Sequence, residues 1–238
     1  MRFIRRKKGK LEEPFPLALT GTDDEIWIEF PGHVVEAVRQ AINRISRKDS
    51  FPERLALTSA IRQEGVTYLS KAVGTVLAND SGRNCCVVEL NWWWPADYPR
   101  AIAGYPGVAE LLKEKTALDE ALIPTGISNL SLLTAGKLEP NLRPTFAGSE
   151  PLAALMDEIG RKFDHVILDL PAVTATSDSI LMAGYGTGLC FVIQQGVTPV
   201  QRVRSALDDL DHLDILGVIM NKVNVSTPAF LLDYIAQE

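Results

Sequence analysis

Residues 60–70 read AIRQEGVTYLS, a run whose small residues and hydroxyl suit an anion cradle. A short apolar run, LALTS at 55–59, precedes it, and a helical pattern starts after Gly65. A strand, a tight loop and a helix in that order leave the first helical N–H groups without partners inside the helix. The helix dipole also favours negative charge there. Loops that hold phosphate in this way follow G-x-x-x-x-G-K-[ST]. Here the run is A-x-x-x-x-G-V-T, which keeps Gly65 and Thr67 and places Val66 where a lysine would meet the phosphate. Arg62 is either a replacement cation or an ordinary solvated loop arginine, and Glu64 lies in the same loop. Val66 is expected to pack where a lysine stem would run. Tyr68 either crowds the site or turns into the core.

Two further apolar runs end in groups with chemical potential. HVILDL (165–170) carries Asp169 at its end. A carboxylate at the carboxyl end of a strand beside a phosphate loop can hold Mg²⁺ together with the loop hydroxyl. Thr67 and Asp169 are therefore the candidate metal pair. The plain alternatives are a first-turn hydroxyl and a carboxylate capping the strand turn. CCVVELNWWWP (85–95) ends in Glu89, Asn91 and the tryptophans 92–94. In an extended segment Trp92 and Trp94 face one way and Trp93 the other, so at least one is expected to be exposed. An interface with a partner, filling of an emptied pocket and stacking on a base are the three roles open to the cluster. Asn221 and Lys222 end the last apolar run and are candidates for contact with a nucleotide base or for a simple strand-end turn. His33, His165 and His212 have no ligand spacing, so no zinc site is expected.

These groups need a scaffold. Apolar runs at 55–59, 85–90, 130–134, 165–170, 189–194 and 215–221 read as strands. Helical patterns at 33–47, 66–78, 107–115, 150–162, 177–184 and 198–213 alternate with them. Near-continuous apolar strands separated by helices predict an α/β fold, a parallel sheet covered on both faces. Residues 11–30 read as an extended arm and 135–149 as a long surface loop. The expected division is a basic arm with an amphipathic helix over 1–50, followed by the main domain over 51–238.

From about residue 33 to 223 the chain resembles the cytoplasmic domain of bacterial tyrosine kinases, a deviant P-loop class that includes the ParA and MinD ATPases. The resemblance rests on TSAIRQEGVT (58–67), on Glu89-Leu90-Asn91-Trp92-Trp93 where the family has D-x-D-x-R, and on Ile167-Leu168-Asp169-Leu170-Pro171-Ala172. LTAG (133–136), Ser177-Asp178, GVT (196–198) and GVIMNKV (217–223) add to it. It implies a P-loop NTPase fold and a place in capsule or exopolysaccharide synthesis. ATP or ADP with Mg²⁺ is the implied cofactor, and a membrane adaptor protein and further copies of the chain are the implied partners. Glu89 and Asp169 then stand at the catalytic positions, with Arg62, Glu64, Gly65, Val66, Thr67, Tyr68, Asn221 and Lys222 around the nucleotide. Glu36 and Arg39 match two positions of the family's oligomerisation helix, and Ile42 replaces the third. The departures fall on chemistry: Val66 for the phosphate lysine, Glu89 and Asn91 for two aspartates, Trp93 for an arginine, and Tyr234 alone where a tyrosine cluster is usual. Losing one charge-assisted bond to phosphate costs about 1.5–3 kcal/mol. Losing one donor aimed at transition-state charge costs about 2.7–4 kcal/mol. The expectation is a degenerate kinase that holds nucleotide weakly or not at all. An active kinase or ATPase with an unusual loop, and a MinD-like positioning protein, are the competing readings.

Charge is unevenly distributed. The 238 residues carry a net −6, but residues 1–10 hold six cations and no acid, which leaves 18 cations against 30 acids in the rest. An acidic body argues against nucleic acid as a partner. The basic stretch could touch anionic lipid or could be a solvated tail. Three cysteines, two of them adjacent, make no disulfide framework and point to a cytoplasmic location, peripheral at the inner membrane face if the basic stretch binds lipid.

Overall fold

The computed structural model describes residues 15–47, 50–113 and 116–223. The basic stretch at 1–10 and Tyr234 lie outside them. Elements follow in chain order: β1 (Leu17–Thr20), β2 (Ile26–Phe30), α1 (Gly32–Ile45), β3 (Arg54–Ser59), α2 (Val66–Ser81), β4 (Cys85–Glu89), α3 (Val108–Leu112) and α4 (Leu118–Ala121). Then come β5 (Ile123–Pro124), β6 (Leu130–Leu133), α5 (Arg143–Ala147), α6 (Glu150–Lys162), β7 (His165–Asp169), α7 (Asp178–Ala183), β8 (Gly188–Gln194), α8 (Val200–Asp208) and β9 (Ile215–Asn221).

Seven strands form one sheet in the order β5-β6-β4-β7-β3-β8-β9, parallel throughout except for the two-residue edge strand β5. The predicted parallel sheet is therefore present, and all six predicted strands fall within a residue of their observed bounds. Alternation sorts the buried residues by face. Leu55, Leu57, Cys85, Val87, Ile167, Cys190 and Val192 join the core under α1 and α2. Ala56, Cys86, Val88, Val166, Leu168, Leu189 and Phe191 join the core under the helices α3 to α8. The adjacent Cys85 and Cys86 thus point to opposite faces, and all three cysteines are buried and free. Burial pushes the thiols of Cys85 and Cys190 up to about 12.

Two expectations need correction. The predicted extended arm is, over its described part, an antiparallel hairpin of β1 and β2, turned at Asp24 in the left-handed region. Leu19 and Phe30 bury beside α2, because a hairpin can cover an apolar helix flank that a lone strand cannot. The predicted surface loop at 135–149 contains α5 and buries Ala135, Leu138 and Ala147, because its few apolar residues cap the end of the second core.

Helix α1 lies against α2. Arg39 donates from Nε to Asp80 Oδ2 at 2.6 Å and from Nη2 to Oδ1 at 3.1 Å, and it stands 3.8 Å from Glu36. This member of the candidate oligomerisation pair is engaged within its own chain.

Helix α2 approaches β4 closely because position 74 is glycine. A Cβ there would lie 2.4 Å from Val87 Cγ2, on a valine that is itself buried. Gly74→Ala is expected to lower stability by about 1–3 kcal/mol through overpacking, against a helix-propensity gain of about 1 kcal/mol. A urea titration followed by tryptophan fluorescence checks this; a raised midpoint refutes the close-approach account.

Candidate functional site

The phosphate loop joins β3 to α2. Gly65 is the residue before the helix, with φ +93°, and no side chain caps the first turn of α2. The left-handed backbone favours glycine, and so does the space, since a Cβ would stand 2.2 Å from Asn221 Nδ2. The uncapped N–H groups face a cavity of about 420 Å³ lined by Arg62, Gly65, Thr67, Tyr68, Lys71, Asn91 and Trp94, among others. The loop after β7 is fastened beside it: Val173 N donates to Ser59 O and Thr174 N to Ala60 O, at 2.9 and 3.1 Å.

Several candidate residues prove to brace the loop. The Glu64 carboxylate is buried and accepts from Ile61 N at 3.0 Å, Gln194 N at 2.9 Å and the Thr198 hydroxyl. Asn221 Nδ2 donates to Glu64 O at 2.7 Å, and its Oδ1 accepts from Lys222 N at 2.8 Å. Lys222 Nζ lies 3.2 Å from Gln194 Oε1 and 3.4 Å from Gln63 O. The side chains of Glu64 and Asn221 are thus bound to the protein itself, tying the loop to the ends of β8 and β9.

The aromatic residues are placed differently from the extended-turn expectation. Trp92 N donates back to Leu90 O at 3.1 Å, a tight turn that breaks the strand alternation. Trp92 is buried, and its Nε1 donates to Ala135 O at 2.8 Å. Trp93 is half-buried against Trp92, ring centroids 6.0 Å apart. Trp94 is half-buried and lines the cavity, with the Arg62 guanidinium 3.8 Å over its ring. None of the three is fully exposed, because each finds a different neighbour once the alternation is lost. Tyr68 packs edge-on against Phe30, and Val66 is buried in the core beneath α2. The lysine position therefore carries an apolar, packed side chain that also lines the cavity.

Lys71, Glu89 and Asp169 lie buried behind the cavity, which only Lys71 among them lines, while Glu89 lines the neighbouring cavity with Tyr98. Glu89 and Asp169 are Cα partners on the neighbouring strands β4 and β7, and are 2% and 1% exposed. Thr67 and Asp169 are together as the metal-pair reading requires, the Thr67 hydroxyl favouring the carboxylate's charged form. Burial and the Glu89 charge outweigh it and push the Asp169 carboxyl up to about 7. Sequence reasoning missed Lys71. The residue is 4% exposed, and its ammonium stands 3.1 Å from Glu89 Oε1, an ion pair poorly directed as a hydrogen bond. It also lies 4.3 Å from the centroid of the Tyr98 ring. Burial and Glu89 push the Tyr98 phenol well above its usual range. The available signal was a single lysine in the apolar helical run VTYLSKAVGTVLA (66–78).

No family model matches the chain. Among proteins similar to it, the tyrosine-protein kinase Ptk of Acinetobacter johnsonii is 24% identical over 225 residues, covering 93% of this chain and 30% of that protein. The succinoglycan biosynthesis transport protein ExoP of Rhizobium meliloti is 28% identical over 188 residues, covering 72% of this chain and 22% of ExoP. The chain thus spans less than a third of either relative. Among solved structures, the VpsO kinase domain superposes with a TM-score of 0.73 at 25% identity, covering 80% of this chain and 94% of that one. The septum site-determining protein MinD of Pyrococcus horikoshii, complexed with Mg-ADP, gives 0.59 at 17% identity, covering 76% of each chain. The sequence homologues include several proteins named bacterial tyrosine-protein kinases, and the fold is the P-loop fold shared with MinD.

Proposed function

We propose that this homologue of bacterial tyrosine-protein kinases is catalytically degenerate and serves as a non-enzymatic regulator or scaffold in polysaccharide synthesis or export. The observation that carries the reading is Val66, buried in the core at the position of the phosphate lysine, above a cradle whose geometry is otherwise kept. Asn91 supports it further: its Oδ1 accepts from Trp94 N at 3.2 Å, so it serves the turn where a carboxylate would serve a reacting hydroxyl. The uncapped α2 terminus and Arg62 retain weak affinity for ATP or ADP. Partners in this reading are a membrane adaptor protein and further copies of the chain, at the inner face of the membrane. Among the described residues no helix is long and apolar enough to cross a membrane.

Calorimetric titration with ATP and ADP, followed by phosphate release and tyrosine phosphorylation assays with Mg²⁺, tests the reading. The expected result is weak binding and turnover at least ~100-fold below the 1–100 per second of ordinary kinases, since each missing transition-state donor costs ~10²–10³ in rate. Turnover within the ordinary range would place the chain among active kinases.

A further inference from the structure

Two carboxylates directly opposite each other on neighbouring strands repel, and burial strengthens the repulsion. Glu89 and Asp169 are such a pair. In P-loop proteins a divalent cation held by the loop hydroxyl and a strand-end aspartate supplies the opposing charge. Here α2 supplies one. Side chains on a helix lean toward its amino terminus, so Lys71 leans from α2 toward the phosphate loop. Gly74 brings that helix against β4. The Lys71 ammonium ends 3.1 Å from Glu89 Oε1, with its charge also felt at Asp169 and the Tyr98 ring at 4.3 Å. Asp169 Oδ1 and both Glu89 oxygens are buried without a directed hydrogen bond among the described residues, so the Lys71 ammonium, with the Thr67 hydroxyl at Asp169, is what offsets their charge. A divalent ion held by Thr67 and Asp169 would meet the repulsion of a cation fixed by the fold.

We infer that the Lys71 ammonium stands in for the divalent cation: the buried carboxylate pair is neutralised from within, and the pocket has no working Mg²⁺ site until Lys71 is removed. The inference deepens the degenerate reading and rests on it, because a pocket without its metal cannot organise phosphoryl transfer in the family's manner. The consequence is specific: whatever phosphate-bearing ligand the loop takes, it takes without a metal.

The test is Mn²⁺ binding without nucleotide, followed by the loss of the free-ion paramagnetic resonance signal. The wild-type chain is expected to show no saturable site at millimolar Mn²⁺. Lys71→Met is expected to gain one, at least ~10-fold tighter than anything in the wild type, since removing a cation beside two carboxylates removes the repulsion. Lys71→Met combined with Asp169→Asn is expected to lose it again. A wild-type site that Asp169→Asn abolishes overturns the inference. So does a folded Lys71→Met chain without a site, or a gained site that survives Asp169→Asn. Should Lys71→Met fail to fold alone, refolding in Mn²⁺ decides: recovery supports the inference and no recovery overturns it. ATP turnover is measured separately, so kinase-level rates would sink the degenerate reading whatever the metal titration gives, and a wild-type Mn²⁺ site without turnover would sink only this inference.

Discussion

Lys71→Met is expected to lower the unfolding free energy by about 3–5 kcal/mol, the cost of breaking a buried ion pair from one side. The methionine fills most of the lysine's volume, so the loss is electrostatic: Glu89 and Asp169 remain opposite each other with their counter-charge gone. The loss should depend on pH in a definite direction. The folded-state pKa of Asp169, about 7, lies above the ordinary carboxylate value of 3.8. Between those values the folded state holds a proton that the unfolded state has released. The group's contribution is therefore fully present below about pH 4 and is lost as pH rises through about 7. The penalty of Lys71→Met should accordingly be smaller at about pH 5, with Asp169 protonated, than at about pH 8, with both acids charged. Urea unfolding at the two pH values measures it. Adding Glu89→Gln to Lys71→Met should restore most of the loss, because neutralising both partners removes the stranded charge. A loss that is the same at both pH values, or that Glu89→Gln leaves unrepaired, would show that Lys71 acts through packing alone.

Glu64→Ala should cost about 3 kcal/mol or more, since hydrogen bonds to a charged group contribute about 1.5–3 kcal/mol each and the sum is not simply additive. The carboxylate accepts from the backbone at Ile61 and Gln194 and from the Thr198 hydroxyl. Alanine leaves those donors unpaired in a half-buried region and unties the phosphate loop from the end of β8. Amide exchange over residues 61–66 should quicken along with the fall in stability, while exchange in α6, on the other core, should follow the global change only. If Glu64→Ala instead left stability unchanged and abolished nucleotide binding, the residue would be a ligand contact and the strut assignment would be wrong.

The position of the site was legible from sequence; its wiring was not. The loop with Gly65 and Thr67, the strand ending in Asp169 and the strand ending in Glu89 all announce themselves locally, through apolar runs and the residues that end them. Lys71 does not, because a lysine in a helix is ordinarily at the surface, and nothing within a few residues reveals that β4 lies across from it. Glu64 read as a ligand contact, and Asn221 as either a base contact or a strand-end turn, for the same reason, since their hydrogen-bond partners are 130 and 157 positions away. The tryptophans failed in a different way, because one backbone bond from Trp92 N to Leu90 O cancelled the alternation on which their exposure was inferred.

By itself, then, the sequence determined six strands of the main sheet and the helices alternating with them, though not the β1–β2 hairpin or α5, and that the lysine expected at position 66 is a valine. Periodicity and turn residues act over a few positions, and they survive any arrangement of the sheet. The tertiary structure alone decided what replaces that charge. The strand order β5-β6-β4-β7-β3-β8-β9 sets β4 beside β7, and α2 lies against both. That brings residues 71, 89, 98 and 169 to one buried point, where desolvation makes every unpaired charge costly and gives the ammonium of Lys71 its role.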